Sequence, residues 1–320
     1  MSASGFSGRC SGVTDLLIAR LIADPATRET RLDAMADALK GEGAMLAAAA
    51  LLPGEDVLEL RFAQGDPQAV LGAIDRFFAP ADALVSEGEI VIPQVFVSDM
   101  DSTMIGQECI DELADYAGLK PQIAAITERA MQGELDFAEA LCERVALLEG
   151  LDEGAIGTCL AERITPMAGA RTLVATLAAL GTRTVLVTGG FHHFAEPVAG
   201  MLGFERVVGN RLEVAGGMLT GRLVGPITDS AVKAAVLREE AGEGQVSLAT
   251  GDGANDIPMI AAATYGFAYR AKPKARAAAN GRVDAGDLTA VLTLLGVPRA
   301  QCARADRRRG NRRAKSGFSS

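Results

Sequence analysis

Apolar and polar positions follow two rhythms along this chain, and the order in which the rhythms change predicts the architecture. Residues 16–23 form a short apolar run that predicts a strand, and residues 26–39 space their apolar side chains as a helix does. Residues 44–52 and 56–62 predict a pair of strands, and 67–78 a second helix opened by Pro67. The sum is a small α+β unit of β-α-β-β-α order over residues 14–86, ending near Val85, with the polar run Ser86-Glu87-Gly88-Glu89 as its linker.

A second region begins at the apolar, β-branched segment from Gln94 to Val97. Four amphipathic helical stretches follow it directly, at 107–116, 121–131, 137–148 and 152–163, so a helical block of about 104–166 interrupts the pattern right after the first strand. Alternation then resumes. Helices are predicted at 168–180, 191–202, 229–241, 257–263 and 290–295. Strands are predicted at 183–187, 246–250 and 265–269, with a hairpin at 211–223 turning at Ala215-Gly216-Gly217. Strands alternating with helices imply an α/β fold with a doubly wound parallel sheet over 94–296. Residues 1–13 are small and polar, and 297–320 carry Arg304, Arg307, Arg308, Arg309, Arg312, Arg313 and Lys315 with little apolar content; both ends are expected to be disordered.

Composition narrows the function classes. With 320 residues, 49% of them hydrophobic, the chain can bury a substantial core in two domains. A formal charge of −10 argues against general affinity for nucleic acid or anionic membranes. Aromatic residues make up 4% and tryptophan is absent, which disfavours base stacking. The five cysteines, Cys10, Cys109, Cys142, Cys159 and Cys302, show no paired spacing and fit a reducing, cytoplasmic setting. The apolar run at 44–52 is too short to span a bilayer, and the N-terminus lacks the charged and apolar regions of a secretory signal.

Chemistry concentrates at two strand ends. The first strand runs into Ser98-Asp99-Met100-Asp101, and positions two apart in an extended segment face the same way, so both carboxylates can address one site. The strand at 246–250 runs into Gly251-Asp252-Gly253-Ala254-Asn255-Asp256. If the two strands are neighbours in a parallel sheet, three or four carboxylates meet in the crevice beyond the strand ends, where open α/β sheets bind ligands. Such a set of hard oxygens suits Mg²⁺ better than zinc. Taken singly, Asp-x-Asp and Gly-Asp-Gly are turn and capping sequences, and a lone lysine on a helix faces solvent.

Taken together and in order, Asp99-Met100-Asp101-Ser102-Thr103, Val187-Thr188-Gly189-Gly190-Phe191, Lys233 and Gly251-Asp252-Gly253-Ala254-Asn255-Asp256 resemble the four motifs of the haloacid dehalogenase superfamily. Within it the closest resemblance is to the phosphoserine phosphatases, over roughly residues 94–296. The resemblance implies a haloacid dehalogenase-like core whose inserted helices form a small cap, preceded by an ACT-like N-terminal domain. It implies Asp99 as nucleophile through an aspartyl-phosphate, Asp101 as general acid and then base, and Lys233 as the cation beside them. Mg²⁺ would be held by Asp99, the backbone carbonyl of Asp101 and Asp252. Asn255 and Asp256 would orient these groups, and Thr188 and Gly189 would hold phosphate oxygens.

For the substrate, the resemblance implies O-phospho-L-serine, with Glu108 taking the ammonium, Arg144 the carboxylate, and Met131 and Phe137 forming an apolar lid. Another small phosphomonoester such as phosphohomoserine is the alternative, as is a regulatory protein with an idle catalytic half. A homodimer through the N-terminal unit is left open. His192 and His193 are adjacent on a helix, diverge, and carry no expected role.

Overall fold

The computed structural model describes residues 16–53, 56–132 and 134–303; the segments 1–13 and 304–320 lie outside them. The strands are β1 (Leu17–Ile22), β2 (Met45–Leu51), β3 (Leu58–Gln64), β4 (Asp82–Glu87), β5 (Val95–Ser98), β6 (Arg183–Phe191), β7 (Arg206–Ala215), β8 (Met218–Val224), β9 (Ser247–Gly251), β10 (Tyr265–Tyr269) and β11 (Gly281–Val283). They join in one sheet of order β2-β3-β1-β4-β11-β10-β9-β5-β6-β7-β8. Neighbours from β11 through β7 run parallel, while the N-terminal strands and the β7–β8 hairpin are antiparallel.

The helices are α1 (Arg28–Gly41), α2 (Pro67–Phe78), α3 (Cys109–Tyr116), α4 (Lys120–Met131), α5 (Phe137–Ala146), α6 (Gly154–Arg163), α7 (Ala170–Ala179), α8 (His192–Leu202), α9 (Ser230–Ala241), α10 (Ile257–Ala262), α11 (Pro273–Ala278) and α12 (Thr289–Leu294). Helices α3 to α6 are the block anticipated between the first and second parallel strands. Asp136 caps α5 with a full capping box to Glu139, and Asp66 and Asp229 cap α2 and α9 through their carboxylates. The block is tied to the hairpin by a short ladder: Gly150 N–H to Leu219 O at 2.8 Å, Leu219 N–H to Leu151 O at 2.8 Å, and Glu153 N–H to Gly217 O at 2.9 Å.

Where the structure departs from the sequence expectations, the cause is non-local. The stretch read as a linker from Ser86 begins inside β4, which pairs with β1 and also with β11, so the N-terminal unit and the parallel core share one sheet. Ser86 is buried despite its polarity, paired with Ile18 of β1 and hydrogen-bonded to the Tyr265 hydroxyl. Alternate residues of β1 serve different cores: Leu17, Ala19 and Leu21 face α1 and α2, whereas Ile18 packs into the main core with α12. Burial on both faces explains why β1 reads as a nearly continuous apolar run, whereas β4, which carries Asp82, Ser86 and Glu87, was not anticipated. β6 extends past Thr188 through Gly189-Gly190 to Phe191, and the short α11 and β11 were not anticipated. Residues 297–303, grouped with the tail, pack back on the core: Val297 is buried and Ala303 N–H donates to the Thr176 hydroxyl at 2.9 Å.

Candidate active site

The site lies where β5 has β9 on one side and β6 on the other. Ser98 is in register with Thr250 of β9 and Leu186 of β6, so Asp99 and Asp252 follow their strands at nearly the level of Thr188 on β6. Asp99 N–H extends the ladder to Thr250 O at 3.0 Å. A hydroxyl relay runs beneath it: Thr250 Oγ1 donates to Ser98 Oγ at 2.7 Å, and Ser98 Oγ to Asp99 O at 2.7 Å.

Beyond Asp99 the chain turns over the buried Met100, whose carbonyl accepts from the N–H groups of Thr103, Met104 and Ile105. That turn brings Asp101 Oδ1 within 3.2 Å of the Cys109 N–H at the start of α3. A free N-terminal amide of a helix favours an anion there. Gly190 lies against the other oxygen, since a Cβ there would stand 2.8 Å from Asp101 Oδ2.

On the other side of Asp99, Lys233 projects from α9 into a nearly dry site, its Nζ 2.7 Å from Asp99 Oδ1 and 2.8 Å from Asp256 Oδ1. Lys233 is 1% exposed and Asp256 is fully buried. Asp256 uses its second oxygen to accept from the N–H groups of Asp252 and Gly253, at 3.1 and 3.0 Å. Position 251 must be glycine for this loop to close, because a Cβ would fall 2.5 Å from the Asp256 side chain. Asp256 therefore holds the lysine and shapes the loop, while the Asp252 carboxylate accepts a long 3.4 Å contact from the Thr103 hydroxyl.

Carboxylate oxygens of Asp99, Asp252 and Asp256 lie within 4.8 Å of one another. With Asp101 added, four carboxylates face the single ammonium of Lys233, a formal charge of −3 when all are ionised. The excess shows in the titration of Asp99, Asp101, Asp252 and Lys233. Burial, then repulsion from Asp256, pushes Asp99 well above the ordinary carboxylate range despite Lys233. Burial and then Glu108 push Asp101 up to about 7. Burial, then Asp256 and Glu108, push Asp252 up to about 6. Burial opposes the charge of Lys233, but Asp99 and Asp256 outweigh it and hold the ammonium above its ordinary value. Hard oxygens with too little positive charge among them suit a divalent cation.

A prediction follows with a definite sign. Carboxyls whose folded pKa is raised bind more protons folded than unfolded, so the stability they contribute falls as pH rises. For Asp101 and Asp252 the window runs from the ordinary value of 3.8 to about 7. A divalent cation needs the carboxyls of Asp99 and Asp252 ionised. Added Mg²⁺ is expected to raise the melting temperature strongly at pH 8 and little at pH 5, read by calorimetry; equal shifts at both would reject the cluster as its site.

Thr188, Gly189 and Gly190 lie on β6. Thr188 is buried and its Oγ1 accepts from Gly190 N–H at 2.8 Å. The Phe137 ring, at the start of α5, stands 3.2 Å from where a Gly189 Cβ would sit, which brings the helical block down over this loop. Glu108 accepts from Ser102 Oγ at 2.7 Å at the head of α3. Arg144, on α5, donates through Nε to Ala140 O at 3.1 Å, and among the described residues no carboxylate lies within 4.0 Å of it. Burial disfavours its charge, with Asp111 and Glu108 pulling the other way, and its pKa is lowered. Asn255, half-buried in the 3-10 turn Ala254–Asp256, folds its amide oxygen over Gly253. Met131 ends α4, and its side chain lies outside the described residues.

Sequence reasoning missed Asn210. This buried residue of β7 donates to Gly189 O at 2.7 Å and accepts from Thr228 N–H at 2.8 Å, clamping the loop of β6 to the segment leading into α9 and Lys233. The available signal was a polar residue ending the run Arg206-Val207-Val208-Gly209 on a strand. Thr103, whose hydroxyl approaches Asp252, was quoted only as part of a motif.

Comparison with known proteins agrees with this geometry. The sequence model of the haloacid dehalogenase-like hydrolases matches residues 96–261. A phosphoserine phosphatase of Mycobacterium tuberculosis is 47% identical over 217 residues, 67% of this chain and 53% of that protein, so this chain spans about half of that relative's length. One of Idiomarina loihiensis is 45% identical over 205 residues, 63% of this chain and 93% of that protein. A crystal structure of a probable phosphoserine phosphatase from Vibrio cholerae, unliganded, superimposes with a TM-score of 0.67 at 27% identity, covering 90% of this chain and 88% of that one. With three of its motifs at the adjacent parallel strands β5, β6 and β9 and Lys233 reaching in from α9, the chain belongs to the haloacid dehalogenase-like hydrolases and, among them, to the family of the phosphoserine phosphatases.

Proposed function

We propose that this chain is a Mg²⁺-dependent phosphoserine phosphatase that releases L-serine and phosphate from O-phospho-L-serine, the closing step of serine synthesis. The observation that carries the reading is the meeting of Asp99, Lys233 and Asp252 at one cleft. Asp99 attacks phosphorus and becomes an aspartyl-phosphate as the bond to the serine oxygen breaks. Asp101, with a pKa near 7, gives that oxygen its proton and then takes one from the attacking water, which releases phosphate and restores Asp99. Asp99, the carbonyl of Asp101 and Asp252 would hold Mg²⁺, which would supply positive charge to the phosphoryl oxygens. Lys233 neutralises Asp99 and the transferring group, and Thr188 and the Gly189 N–H bind phosphate oxygens. Asn255 and Asp256 hold the metal-side loop in shape.

Substrate choice is assigned to the helical block acting as a cap. Arg144, without a carboxylate partner among the described residues, clamps the substrate carboxylate; Glu108 receives the ammonium; Met131 and Phe137 exclude water above the phosphate. The N-terminal unit, in β-α-β-β-α-β order, is read as a divergent ACT-like module, with a homodimer through it and a cytoplasmic location. Among the described residues no helix is long and apolar enough to cross a membrane.

Phosphate release from phosphoserine, phosphohomoserine and sugar phosphates tests the reading, and preference for a sugar phosphate would overturn it. Loss of a charged hydrogen bond costs about 1.5–3 kcal/mol, so Arg144→Ala should raise KM for phosphoserine about 10- to 100-fold. An equal rise for O-phosphoethanolamine, which lacks the carboxylate, would remove Arg144 from that role.

A further inference from the structure

We propose that Asp75, on the N-terminal unit, is a positioning residue for the metal-binding loop and acts on Asp252 through α11. The inference rests on the reading of Asp252 as a metal ligand. Asp75 on α2 takes both terminal nitrogens of Arg276, at 2.8 and 2.6 Å, and also pairs with Nη1 of the buried Arg282. Arg276 Nε reaches Asp284 at 2.9 Å, so the guanidinium is held along its whole edge. A bidentate arginine–carboxylate pair fixes direction as well as distance.

Arg276 sits on α11, a helix of six residues with no side-chain cap at its N-terminus. So short a helix has little rigidity of its own and takes its orientation from what anchors it. Its first turn closes with Arg276 N–H on Lys272 O at 3.0 Å, and Lys272 N–H donates to Asp252 O at 2.9 Å. α11 also packs against the 3-10 turn of Ala254–Asp256. The Asp75–Arg276 pair thus sets α11, α11 sets the Lys272 amide, and that amide holds the backbone of Asp252.

A second connection keeps the seam rigid. The buried Asp82 accepts from the N–H groups of Asp284, Ala285 and Gly286 at 2.8, 2.8 and 2.9 Å, immediately after β11. The N-terminal unit therefore works as part of the frame around the catalytic crevice, whatever it binds by itself.

The test is a calorimetric titration of Mg²⁺ into the full chain, alongside steady-state kinetics on phosphoserine. Partners behind direct ligands are worth about 10- to 100-fold in metal affinity, and this contact lies one step further out. Asp75→Asn is expected to weaken Mg²⁺ binding about threefold to tenfold, with KM for phosphoserine at saturating Mg²⁺ unchanged. Arg276→Lys keeps the charge but loses the fork and should weaken binding likewise, which separates geometry from long-range charge and remains readable if Asp75→Asn misfolds. Asp75→Glu should restore most of the affinity. A merely structural role would lower the fraction of binding-competent protein and leave the dissociation constant alone; that result overturns the proposal, as does failure of the parent protein to bind Mg²⁺. A parent that binds Mg²⁺ but does not hydrolyse phosphoserine refutes the proposed function and leaves this comparison intact.

Discussion

Asp99→Asn is expected to fold, melt at or above the parent temperature, and lose at least ~10⁴-fold in kcat, the scale seen when a nucleophile is removed from a cooperating set. The two halves of this result have one cause. Asp99 is buried beside Asp256, and its charged form is disfavoured by both circumstances even with Lys233 at 2.7 Å. A neutral amide of the same shape relieves the repulsion and can still accept from Lys233, so folding does not suffer. It has no anionic oxygen to attack phosphorus, so turnover does. Thermal melts followed by circular dichroism, with phosphate release on the same samples, check both; substantial remaining activity would displace Asp99 as nucleophile.

Lys233→Met should damage both properties. The side chain keeps its length, but Asp99 and Asp256 are left buried with no cation between them. Breaking a buried pair by removing one partner costs about 3–5 kcal/mol. The loss should depend on pH in a stated direction. Without the ammonium, Asp99 stays protonated in the folded protein to a higher pH, whereas the unfolded chain ionises it near the ordinary value of 3.8. Destabilisation should therefore be modest at pH 5 and largest at pH 8. Removing a preorganised charge from the transferring group lowers kcat by about 10²–10³ as well. Urea unfolding at the two pH values and kinetics at pH 7.5 test this; a variant as stable as its parent at pH 8 would mean that the triad of Asp99, Lys233 and Asp256 does not hold the crevice together.

These effects centre on residues readable from the chain because each stands at a point where local pattern changes. Val95–Ser98 and Ser247–Gly251 are short apolar strands that stop at carboxylates, and strand neighbours in a parallel sheet bring such endings together. Lys233 was found only through the ordered motifs; by itself it is one basic residue on a helix, and its burial depends on Asp99 and Asp256 arriving from other elements. Asn210 escaped notice because its partners, Gly189 and Thr228, lie 21 and 18 residues away and neither has a polar side chain facing it in any local pattern.

The amino-acid order alone determined the alternation of strands and helices, the helical block after the first parallel strand, and the identity and order of the acids, lysine and glycines that the fold gathers at the candidate site. All of these are properties of short windows, set by side-chain period and by which residues can end a strand. Tertiary structure alone decided that β4 joins β11 and merges two units into one sheet, that Asp75 meets Arg276 from 201 positions away, and that Asp99 and Asp256 share the ammonium of Lys233. Contacts of that kind depend on how whole elements dock, and no local period carries that information.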